Sequence, residues 1–500
     1  MNRTRILILI IGLLTGSFCL PVIAEEKEMN TGGSTSSPQV ASTGSPQGEI
    51  YKGWRLATQA WTFHTGTFFE AVDNAHELGL KYIEAYGGQP LSKEFPKETT
   101  GFSMSAETKQ KIKDKLSQAG IKISSYGVVT PAQNTEEEWR KFFEFAKDMG
   151  IETLVSEPNE DSFDMLDKLC QEYKINLAIH NHPKPSHYWN PDTVLKVCEG
   201  RSKYIGACAD IGHWMRSGIN PIEAIKKLKG RIIELHAKDL NKANDPGAHD
   251  VIWGTGEGNF KGILEELDKQ GFKGQFVIEY EYNYGKSMPE LAGCIANFNK
   301  FAAELSHAET KDLFNKDLSN AIYKEGSWAF DSEGILSPKG IQGHDLDIWT
   351  KDKYGNFILD LEFKVAQGSN SGVFLRTGSI QNWINTCMEV QIHESTDGTP
   401  HGQCGAIYDC LSPSKNAEKK TGEWNHYVIT CLDNKIYVEL NGEQIIDMDL
   451  NKWTEAHKNP DGTPNKFPTA YKDMPRFGNL GLQYHGTPIW YKNLKIKSLD

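Results

Sequence analysis

The sequence lacks an excess of positive charge and has no Cys-x-x-Cys motif. Lys and Arg total 54 against 66 Asp and Glu, which gives a net charge of −12. Binding to nucleic acid or to an anionic membrane needs clustered Lys and Arg, so this balance argues against both. Without a Cys-x-x-Cys motif, a zinc site built from cysteines is not expected. The charge balance and the missing motif thus argue against nucleic-acid binding, membrane binding and a zinc site made of cysteines.

No apolar stretch near the N-terminus is long enough for a typical membrane span. Arg3 and Arg5 precede the stretch ILILIIGLLTGSF, which falls short of the roughly 20 residues that a spanning helix needs. The small residue Ala24 then offers a cleavage site, so residues 1–24 are predicted to be a signal peptide. We expect a periplasmic or secreted protein. A lipid anchor at Cys19 is the weaker alternative, because the bulky Phe18 precedes it.

Cysteines are few, and eight remain once Cys19 is removed with the signal peptide. Export permits disulfide bonds, and an even number allows complete pairing, but the sequence does not give the connectivity. The alternative is that most of them are small buried hydrophobic residues.

The composition and the pattern of apolar residues divide the chain into segments. Residues 25–50 are rich in Gly, Ser, Thr and Pro, which is typical of a flexible linker. Over residues 51–308, eight strand patterns alternate with amphipathic helices, which predicts an α/β fold, a (β/α)8 TIM barrel. A doubly wound sheet is the alternative. Residues 309–325 are expected to form a second linker, and residues 326–500 alternate apolar and polar residues in short strands, which predicts an all-β sandwich or jelly roll.

Histidines and carboxylates collect at the ends of the predicted barrel strands. In chain order, the fourth to eighth strands end in Glu157, in His180 and His182, in Asp210 and His213, in His236 and Lys238, and in Glu279. Barrel enzymes place their active sites at these ends, and imidazoles and carboxylates that converge are ligands for a borderline divalent metal. A single histidine is more often structural, but the whole set favours a metal site. Lys238 can act as a base only if its surroundings lower its pKa.

Other polar and aromatic residues lie near the same strand ends. Trp61 and His249 are expected to contact the substrate, and Glu84 is a further candidate after the second strand. Asn181 is predicted to point away from the mouth and to bind backbone, because alternate residues of a strand face opposite sides. Asp239 is expected to orient His236 or to pair with Lys238.

Residues 54 to about 305 resemble the xylose-isomerase-like barrel superfamily of sugar isomerases and epimerases. The segments that carry the resemblance are IHNHP, ADIGHW, ELHAKD, WGTGEGNF and VIEYE. The resemblance implies a Mn, Co, Mg or Zn ion, with four ligands in this chain: His180, Asp210, His236 and Glu279. Many epimerases of the superfamily have a glutamate where His180 stands, and two glutamates flank their substrate. Proton removal from one side is therefore favoured here, unless Glu157 takes the place of the second glutamate.

Residues 326–499 resemble the 3-keto-disaccharide hydrolase family, which has a concanavalin-like fold. Matching segments include NSGVFLRTG, MEVQIHE, GAIYDCLSP and LGLQYHG. The resemblance implies a polar concave face that binds a carbohydrate through Arg376, Glu389, Gln391, His393, Tyr408 and His485. In MEVQIHE, the residues Glu389, Gln391 and His393 share one strand face, which is also ordinary for a solvated sheet. Pure glycan binding is therefore an alternative to catalysis.

Together these features predict an exported, metal-dependent enzyme that acts on 3-keto-glycosides. A ketone at C3 acidifies the C2 proton, so a base can remove it and the aglycone can leave C1 by β-elimination. The candidates for proton transfer and substrate contact are Glu279, Glu157, His182, His213 and Lys238. The alternatives are a sugar epimerase or isomerase with an attached carbohydrate-binding sandwich, and a non-catalytic glycan-binding protein. The sequence does not determine the oligomeric state.

Overall fold

The computed structural model describes residues 49–51, 53–340, 346–394 and 400–500. The predicted signal peptide and nearly all of the linker expected over residues 25–50 lie outside these ranges. Within the described ranges, every helix is too short or too polar to cross a membrane.

Strands and helices alternate in the first part of the described chain. The strands are β1 (Glu49–Tyr51), β2 (Trp54–Gln59), β3 (Tyr82–Ala85), β4 (Lys122–Val129), β5 (Thr153–Ser156), β6 (Asn176–His180), β7 (Ile205–Asp210), β8 (Ile232–Ala237) and β9 (Gly274–Ile278). The helices are α1 (Phe68–Glu77), α2 (Ala106–Ala119), α3 (Glu136–Met149), α4 (Phe163–Tyr173), α5 (Pro191–Cys198), α6 (Ile211–Arg216), α7 (Pro221–Lys227), α8 (Phe260–Lys269) and α9 (Met288–Glu304). Strands β2 to β9 are parallel neighbours, and β9 also pairs with β2. The predicted (β/α)8 barrel is confirmed.

Local sequence signals define where the barrel helices begin and end. The Thr135 side chain accepts a hydrogen bond from the backbone N–H of Glu138 and so caps α3. The helix ends at Gly150, whose φ of 72° is the left-handed conformation that glycine adopts without strain. Between these ends, Trp139 and Phe143 are buried in the barrel core. Each barrel helix thus covers a strand with its apolar face and leaves the strand end free to carry functional residues.

The second part of the described chain is built of antiparallel strands. They are β10 (Thr310–Asp312), β11 (Ala321–Ile322), β12 (Trp328–Phe330), β13 (Leu336–Pro338), β14 (Ile348–Tyr354), β15 (Phe357–Val365), β16 (Asn370–Thr377), β17 (Met388–His393), β18 (Asn425–Leu432), β19 (Lys435–Leu440), β20 (Glu443–Asp449), β21 (Gly478–Leu482) and β22 (Ile489–Ser498), with the short helix α10 (Trp383–Thr386). One sheet has the order β12-β13-β22-β15-β18-β19-β20, and the other has the order β11-β14-β21-β16-β17. Every second residue of β15 is buried, which is the pattern of a sheet with one face in a core. The predicted β-sandwich is confirmed.

The linker expected over residues 309–325 is not a linker. Strand β10 pairs with β22, and β11 pairs with β14, so both belong to the sandwich sheets. The sequence pattern misses them because β10 has three residues and β11 has two, too few to show alternation.

Side chains of the last barrel helix contact the sandwich. Asn299 of α9 donates a hydrogen bond of 2.9 Å to the hydroxyl of Tyr437 on β19. Lys300 forms an ion pair with Glu439 of the same strand. The sandwich is therefore joined to the barrel by side-chain contacts as well as by the chain.

The cysteines of the described residues act as small hydrophobic residues. All eight are free and buried: Cys170, Cys198, Cys208, Cys294, Cys387, Cys404, Cys410 and Cys431. The structure thus favours the second of the two sequence alternatives.

Candidate metal centre and active site

Four side chains at the C-terminal ends of neighbouring barrel strands converge. His180 ends β6, Asp210 ends β7, His236 lies near the end of β8, and Glu279 follows β9. One ligand atom from each lies within 4.8 Å of the other three. His180, Asp210 and His236 are at most 2% exposed, and 11% of the Glu279 side chain is exposed. The structure therefore brings together the four residues that the resemblance implies as metal ligands.

Three buried atoms of this group make no well-directed hydrogen bond among the described residues, although two of them have a charged neighbour: Lys238 Nζ lies 3.0 Å from Asp210 Oδ2, and Glu279 Oε2 lies 3.1 Å from His236 Nδ1. The three atoms are His180 Nε2, Asp210 Oδ2 and His236 Nδ1. Asp210 Oδ2 lies 3.8 Å from His180 Nε2 and 3.9 Å from His236 Nδ1, which is too far for a hydrogen bond. A buried polar atom without a well-directed hydrogen bond costs about 1–3 kcal/mol, so donor atoms that face one point favour a partner that they share. Two imidazole nitrogens and two carboxylates are a fitting donor set for a divalent ion such as Zn²⁺ or Mn²⁺.

Carboxylates behind the two histidines orient the rings. Glu84 on β3 is fully buried and accepts hydrogen bonds from His236 Nε2 at 3.0 Å, from Ser125 Oγ at 3.1 Å and from Gln59 Nε2 at 2.8 Å. Glu157 lies 3.2 Å from His180 Nδ1. Since a carboxylate accepts, the ring nitrogen beside it carries the proton, and the other nitrogen offers its lone pair to the centre. Glu84 and Glu157 thus support the ligands from behind.

The backbone of Asp210 is held by Asn181. The Asn181 amide donates to the Asp210 carbonyl at 2.9 Å, and its oxygen accepts from the Asp210 N–H at 2.8 Å. Asn181 points away from the mouth and binds backbone, as the strand alternation predicts. This pair of hydrogen bonds fixes the position of one ligand from the neighbouring strand.

Lys238 places a cation beside the ligands. Its Nζ lies 3.0 Å from Asp210 Oδ2 and 2.8 Å from both Glu279 Oε2 and Glu281 Oε2. Burial alone would lower its pKa, but the surrounding carboxylates outweigh burial and raise the pKa well above the usual value of lysine. The lowered pKa that a basic Lys238 would require is therefore absent. Lys238 is a charged hydrogen-bond donor.

His182 and His213 lie on the side of the centre that β6 and β7 form. Half of the His182 side chain is exposed, and its Nδ1 contacts the Glu157 carboxylate. Burial opposes the ionisation of Glu157, but hydrogen bonds and charges from His180 and His182 outweigh it and lower the Glu157 pKa to about 2. The His213 ring lies 5.4 Å from that of His182, and its Nδ1 accepts a hydrogen bond from Arg216 at 3.1 Å. Burial lowers the pKa of His213 well below its usual value, so this ring is neutral.

Sequence reasoning did not assign a role to Gln59, Ser125, Arg216 or Glu281. Gln59 ends β2, and Glu281 follows Glu279 by two residues, so both occupy strand ends of the kind that the pattern singles out. Arg216 follows His213 by three residues in α6, the spacing that puts two side chains on one helix face. These signals are visible in the sequence, whereas Ser125 lies inside β4 and gives none.

Trp61 lies in the short 3-10 helix that follows β2, and His249 lies in the loop that follows β8. Trp61 is 40% exposed and stacks on His64 with ring centroids 4.6 Å apart, and His249 stacks on Tyr282 at 4.2 Å. Both remain candidates for substrate contact.

Asp239 does not fulfil its expected role. Its carboxylate accepts hydrogen bonds from the backbone N–H groups of Gly254, Gly256 and Gly258 at 2.8 to 3.0 Å. A Cβ at Gly256 would lie 2.5 Å from Asp239 Oδ1, so the loop needs glycine there. Asp239 therefore anchors the loop WGTGEGNF rather than orienting His236 or pairing with Lys238.

Arg376 does not belong to the polar face of the sandwich. It is fully buried and donates hydrogen bonds to the carbonyls of Gly355 at 2.7 Å and Asp433 at 2.6 Å, and to Asn356 Oδ1 at 3.3 Å. Its guanidinium thus binds loops in the interior and cannot contact a carbohydrate. The resemblance was misleading at this position.

Glu389, Gln391 and His393 lie along β17 with several polar atoms free to bind a ligand. Gln391 Oε1 and His393 Nδ1 are buried without a hydrogen-bond partner among the described residues. The Glu389 carboxylate is buried and lies over Gly372, where a Cβ would clash with Glu389 Oε1. Burial raises the pKa of Glu389 to about 7.

Of the other residues predicted for the polar face, Tyr408 lies beside β17 and His485 follows β21. The backbone N–H of Tyr408 donates to the Glu389 carbonyl at 2.9 Å, and Lys466 Nζ lies 4.4 Å from the centre of the Tyr408 ring. The charge of Lys466 favours ionisation of Glu389 but does not offset the effect of burial on its pKa. His485 is exposed in the turn after β21. Lys466 is a residue of this region that sequence reasoning did not single out.

Comparisons with known proteins agree with both halves of the fold. Residues 72–298 match the family described as a xylose isomerase-like TIM barrel, and residues 309–497 match the 3-keto-alpha-glucoside-1,2-lyase-like domain. A 3-keto-disaccharide hydrolase of Bacteroides thetaiotaomicron is 24% identical over 204 residues, which are 35% of this chain and 69% of that protein. An inosose dehydratase of Bacillus cereus is 23% identical over 249 residues, which are 41% of this chain and 82% of that protein.

A solved structure also matches part of the chain. An uncharacterized protein of Parabacteroides distasonis is 34% identical, covers 51% of this chain and 100% of its own, and has a TM-score of 0.42. By these matches, residues 72–298 form a xylose isomerase-like TIM barrel, residues 309–497 form a 3-keto-alpha-glucoside-1,2-lyase-like domain, and the chain is a carbohydrate-acting enzyme.

Proposed function

We propose that this protein is an exported, metal-dependent enzyme that cleaves 3-keto-glycosides by removing the C2 proton and eliminating the group at C1. The observation that carries the proposal is the convergence of one ligand atom each from His180, Asp210, His236 and Glu279 within 4.8 Å of one another at the buried end of the barrel strands. The pattern of residues 1–24 supports export. A divalent ion held by these four residues would act as a Lewis acid that stabilises negative charge on the keto oxygen.

The proton acceptor in this proposal is His182. Glu157 holds the Nδ1 proton of His182, so Nε2 offers a lone pair from a half-exposed ring. A substrate proton at C2 would move to this nitrogen, and the electrons of the C2–H bond would pass into the ketone at C3. Expulsion of the oxygen at C1 then releases the aglycone.

Lys238 would keep the carboxylates in place, and His213 would position the substrate. The Lys238 ammonium is surrounded by Asp210, Glu279 and Glu281, one carboxylate for each of its three N–H donors, so it does not accept the C2 proton. Because Arg216 donates to His213 Nδ1, the proton of the neutral ring resides on Nε2. That N–H can donate to a hydroxyl of the sugar.

The sandwich would provide a second site for the keto-sugar, centred on Glu389. A carboxyl with a pKa of about 7 exists in both protonation states near neutral pH, as a group that gives and takes protons requires. Addition of water across the unsaturated product would complete a net hydrolysis. The match of residues 309–497 to the lyase-like family supports this assignment.

The test is a turnover assay on matched substrates with the full-length protein. The purified protein is treated with EDTA, dialysed and reloaded with Mn²⁺, Co²⁺, Mg²⁺ or Zn²⁺, and aglycone release is followed from a 3-keto-glucoside and from the same glucoside unoxidised. We expect release from the 3-keto substrate alone and only after reloading. Full activity of the metal-free protein, or equal cleavage of the unoxidised glucoside, would contradict the proposal.

A further inference from the structure

Several large hydrophobic side chains are exposed at the barrel mouth. Seven large hydrophobic side chains are exposed, and four of them, Trp61, Val128, Tyr282 and Tyr284, lie at or beyond the C-terminal ends of barrel strands. Each of these four is 40% exposed. Single exposed hydrophobic residues are normal on a protein surface, but a group of them at the rim of a polar centre indicates a binding surface.

Four rings at the mouth contact one another in sequence. The Trp61 ring stacks on His64 at 4.6 Å and meets the edge of Tyr86 at 5.2 Å, and His64 meets the edge of Tyr284 at 4.5 Å. We name Trp61, His64, Tyr86 and Tyr284 the aromatic wall. It joins the loops that follow β2, β3 and β9, which are adjacent in the barrel.

The aromatic wall borders the metal centre. The backbone N–H of Trp61 donates a hydrogen bond of 3.1 Å to Gln59 Oε1. The same Gln59 side chain donates to Glu84, which accepts a hydrogen bond from His236. Tyr284 follows Glu279 by five residues, and the charges of Glu281 and Lys238 both act on the pKa of its phenol. The wall therefore stands on the side of the centre opposite His182 and His213, which follow β6 and lie in α6.

We propose that the aromatic wall is the subsite for the leaving group and that it selects glycosides whose aglycone is a flat aromatic ring. The inference rests on the proposed function, because it names the group that leaves C1. The polar residues of the centre match the sugar, whereas the wall offers ring faces and edges that pack on another ring. An aromatic pair contributes about 0.5–1.5 kcal/mol beyond the area that it buries.

The chemistry of an aryl leaving group is consistent with this subsite. The C2 proton moves to the base, the C1–O bond breaks, and its electron pair stays on the aryl oxygen. That oxygen then takes a proton and leaves as a phenol. No oxidant or further reactant is needed beyond the 3-keto substrate.

The first experiment compares two substrates and matched variants of the full chain. Trp61→Ala and Tyr284→Ala are assayed on phenyl 3-keto-glucoside and on 3-keto-trehalose, with Trp61→Phe as the conservative variant and Phe477→Ala as the control, because Phe477 is 58% exposed outside the barrel. We expect kcat/KM on the phenyl substrate to fall about tenfold in the alanine variants. The value on 3-keto-trehalose should fall by a smaller factor, and Trp61→Phe should keep most of the phenyl activity. An equal loss on both substrates, or no loss on either, would overturn the inference.

The second experiment separates this inference from the proposed reaction. Binding of unoxidised phenyl glucoside and methyl glucoside to the wild-type protein and to Trp61→Ala is measured by calorimetry, and no turnover is required. We expect the phenyl compound to bind more tightly than the methyl compound, and the difference to disappear in Trp61→Ala. Equal affinities for the two compounds in the wild-type protein would contradict the aromatic subsite even if 3-keto-glycosides are cleaved. A phenyl preference without cleavage would contradict the proposed reaction alone.

Discussion

The barrel mouth and the polar strand of the sandwich both gather titratable side chains, but their geometries differ. In the barrel, potential ligand atoms from four strand ends lie within 4.8 Å of one another. In the sandwich, Glu389, Gln391 and His393 come from the single strand β17 and lie in a row. A point of convergence suits one ion, whereas a row suits the extended face of a sugar. Our proposal therefore puts metal-assisted chemistry in the barrel and metal-free binding or proton transfer in the sandwich.

The largest effect is expected when one of the four proposed metal ligands of the barrel is removed. His236→Ala removes one of four ligands, so the variant should lose stoichiometric metal, and turnover should fall by several orders of magnitude. Metal content is measured after desalting, and circular dichroism checks that the fold persists. Glu389→Gln is the matched control and should keep its metal. A His236→Ala protein with full metal and full activity would disprove the assigned ligand set.

A smaller effect is expected when the support behind a ligand is altered. Glu84→Gln puts an amide against His236 Nε2 and disturbs the contacts with Ser125 and Gln59, so His236 is no longer held in the ligating form. Metal affinity, measured by competition with a chromophoric chelator, should fall about 10–100-fold. Glu77→Gln, on the exposed surface of α1, is the control. Unchanged affinity in Glu84→Gln would show that the histidine does not need this carboxylate.

The sandwich side is tested by the dependence of stability on pH. Burial raises the folded-state pKa of Glu389 to about 7, so the folded protein prefers the protonated carboxyl. Stability from this group is complete below the unfolded-state pKa, about 4.3, and is lost as pH rises through 7. A tenfold difference in proton affinity between the folded and unfolded states corresponds to about 1.4 kcal/mol of stability.

Glu389→Gln removes this titration. Chemical denaturation at pH 4.5 and pH 8 should therefore show a smaller decrease in the variant than in the wild-type protein. Glu423→Gln, at an exposed position, should behave like the wild type. Identical pH dependence in Glu389→Gln and wild type would mean that the carboxylate is not held in an unfavourable environment.

The smallest expected effect concerns the contact between the two regions. Tyr437→Phe removes the acceptor for the Asn299 amide and should lower the free energy of unfolding by about 1 kcal/mol. Denaturation is followed by the fluorescence of the full chain. An unchanged unfolding curve would indicate that this hydrogen bond adds nothing to the junction.

The sequence predicts the parts of the site that depend on regular geometry. Parallel strands of a barrel end at one face, so the strand-end residues His180, Asp210, His236 and Glu279 could be expected to converge. The same rule placed Asn181 against the neighbouring backbone.

The remaining features depend on distant parts of the chain. Arg376 is buried because its guanidinium meets carbonyls of Gly355 and Asp433, which no local pattern reveals. The raised pKa of Lys238 requires carboxylates from several strand ends at once, and Asp239 binds a loop that folds back over it. Such contacts are set by tertiary structure, not by spacing along the sequence.

The most direct test of the central claim is NMR of the reaction in heavy water. Metal-loaded protein is incubated with a 3-keto-glucoside and, in parallel, with the unoxidised glucoside and with the free sugar. The account predicts loss of the C2 proton signal and release of the aglycone from the 3-keto substrate, with the other two compounds unchanged. Clean conversion of an unoxidised sugar into its epimer, with no aglycone released from the 3-keto-glucoside, would contradict it.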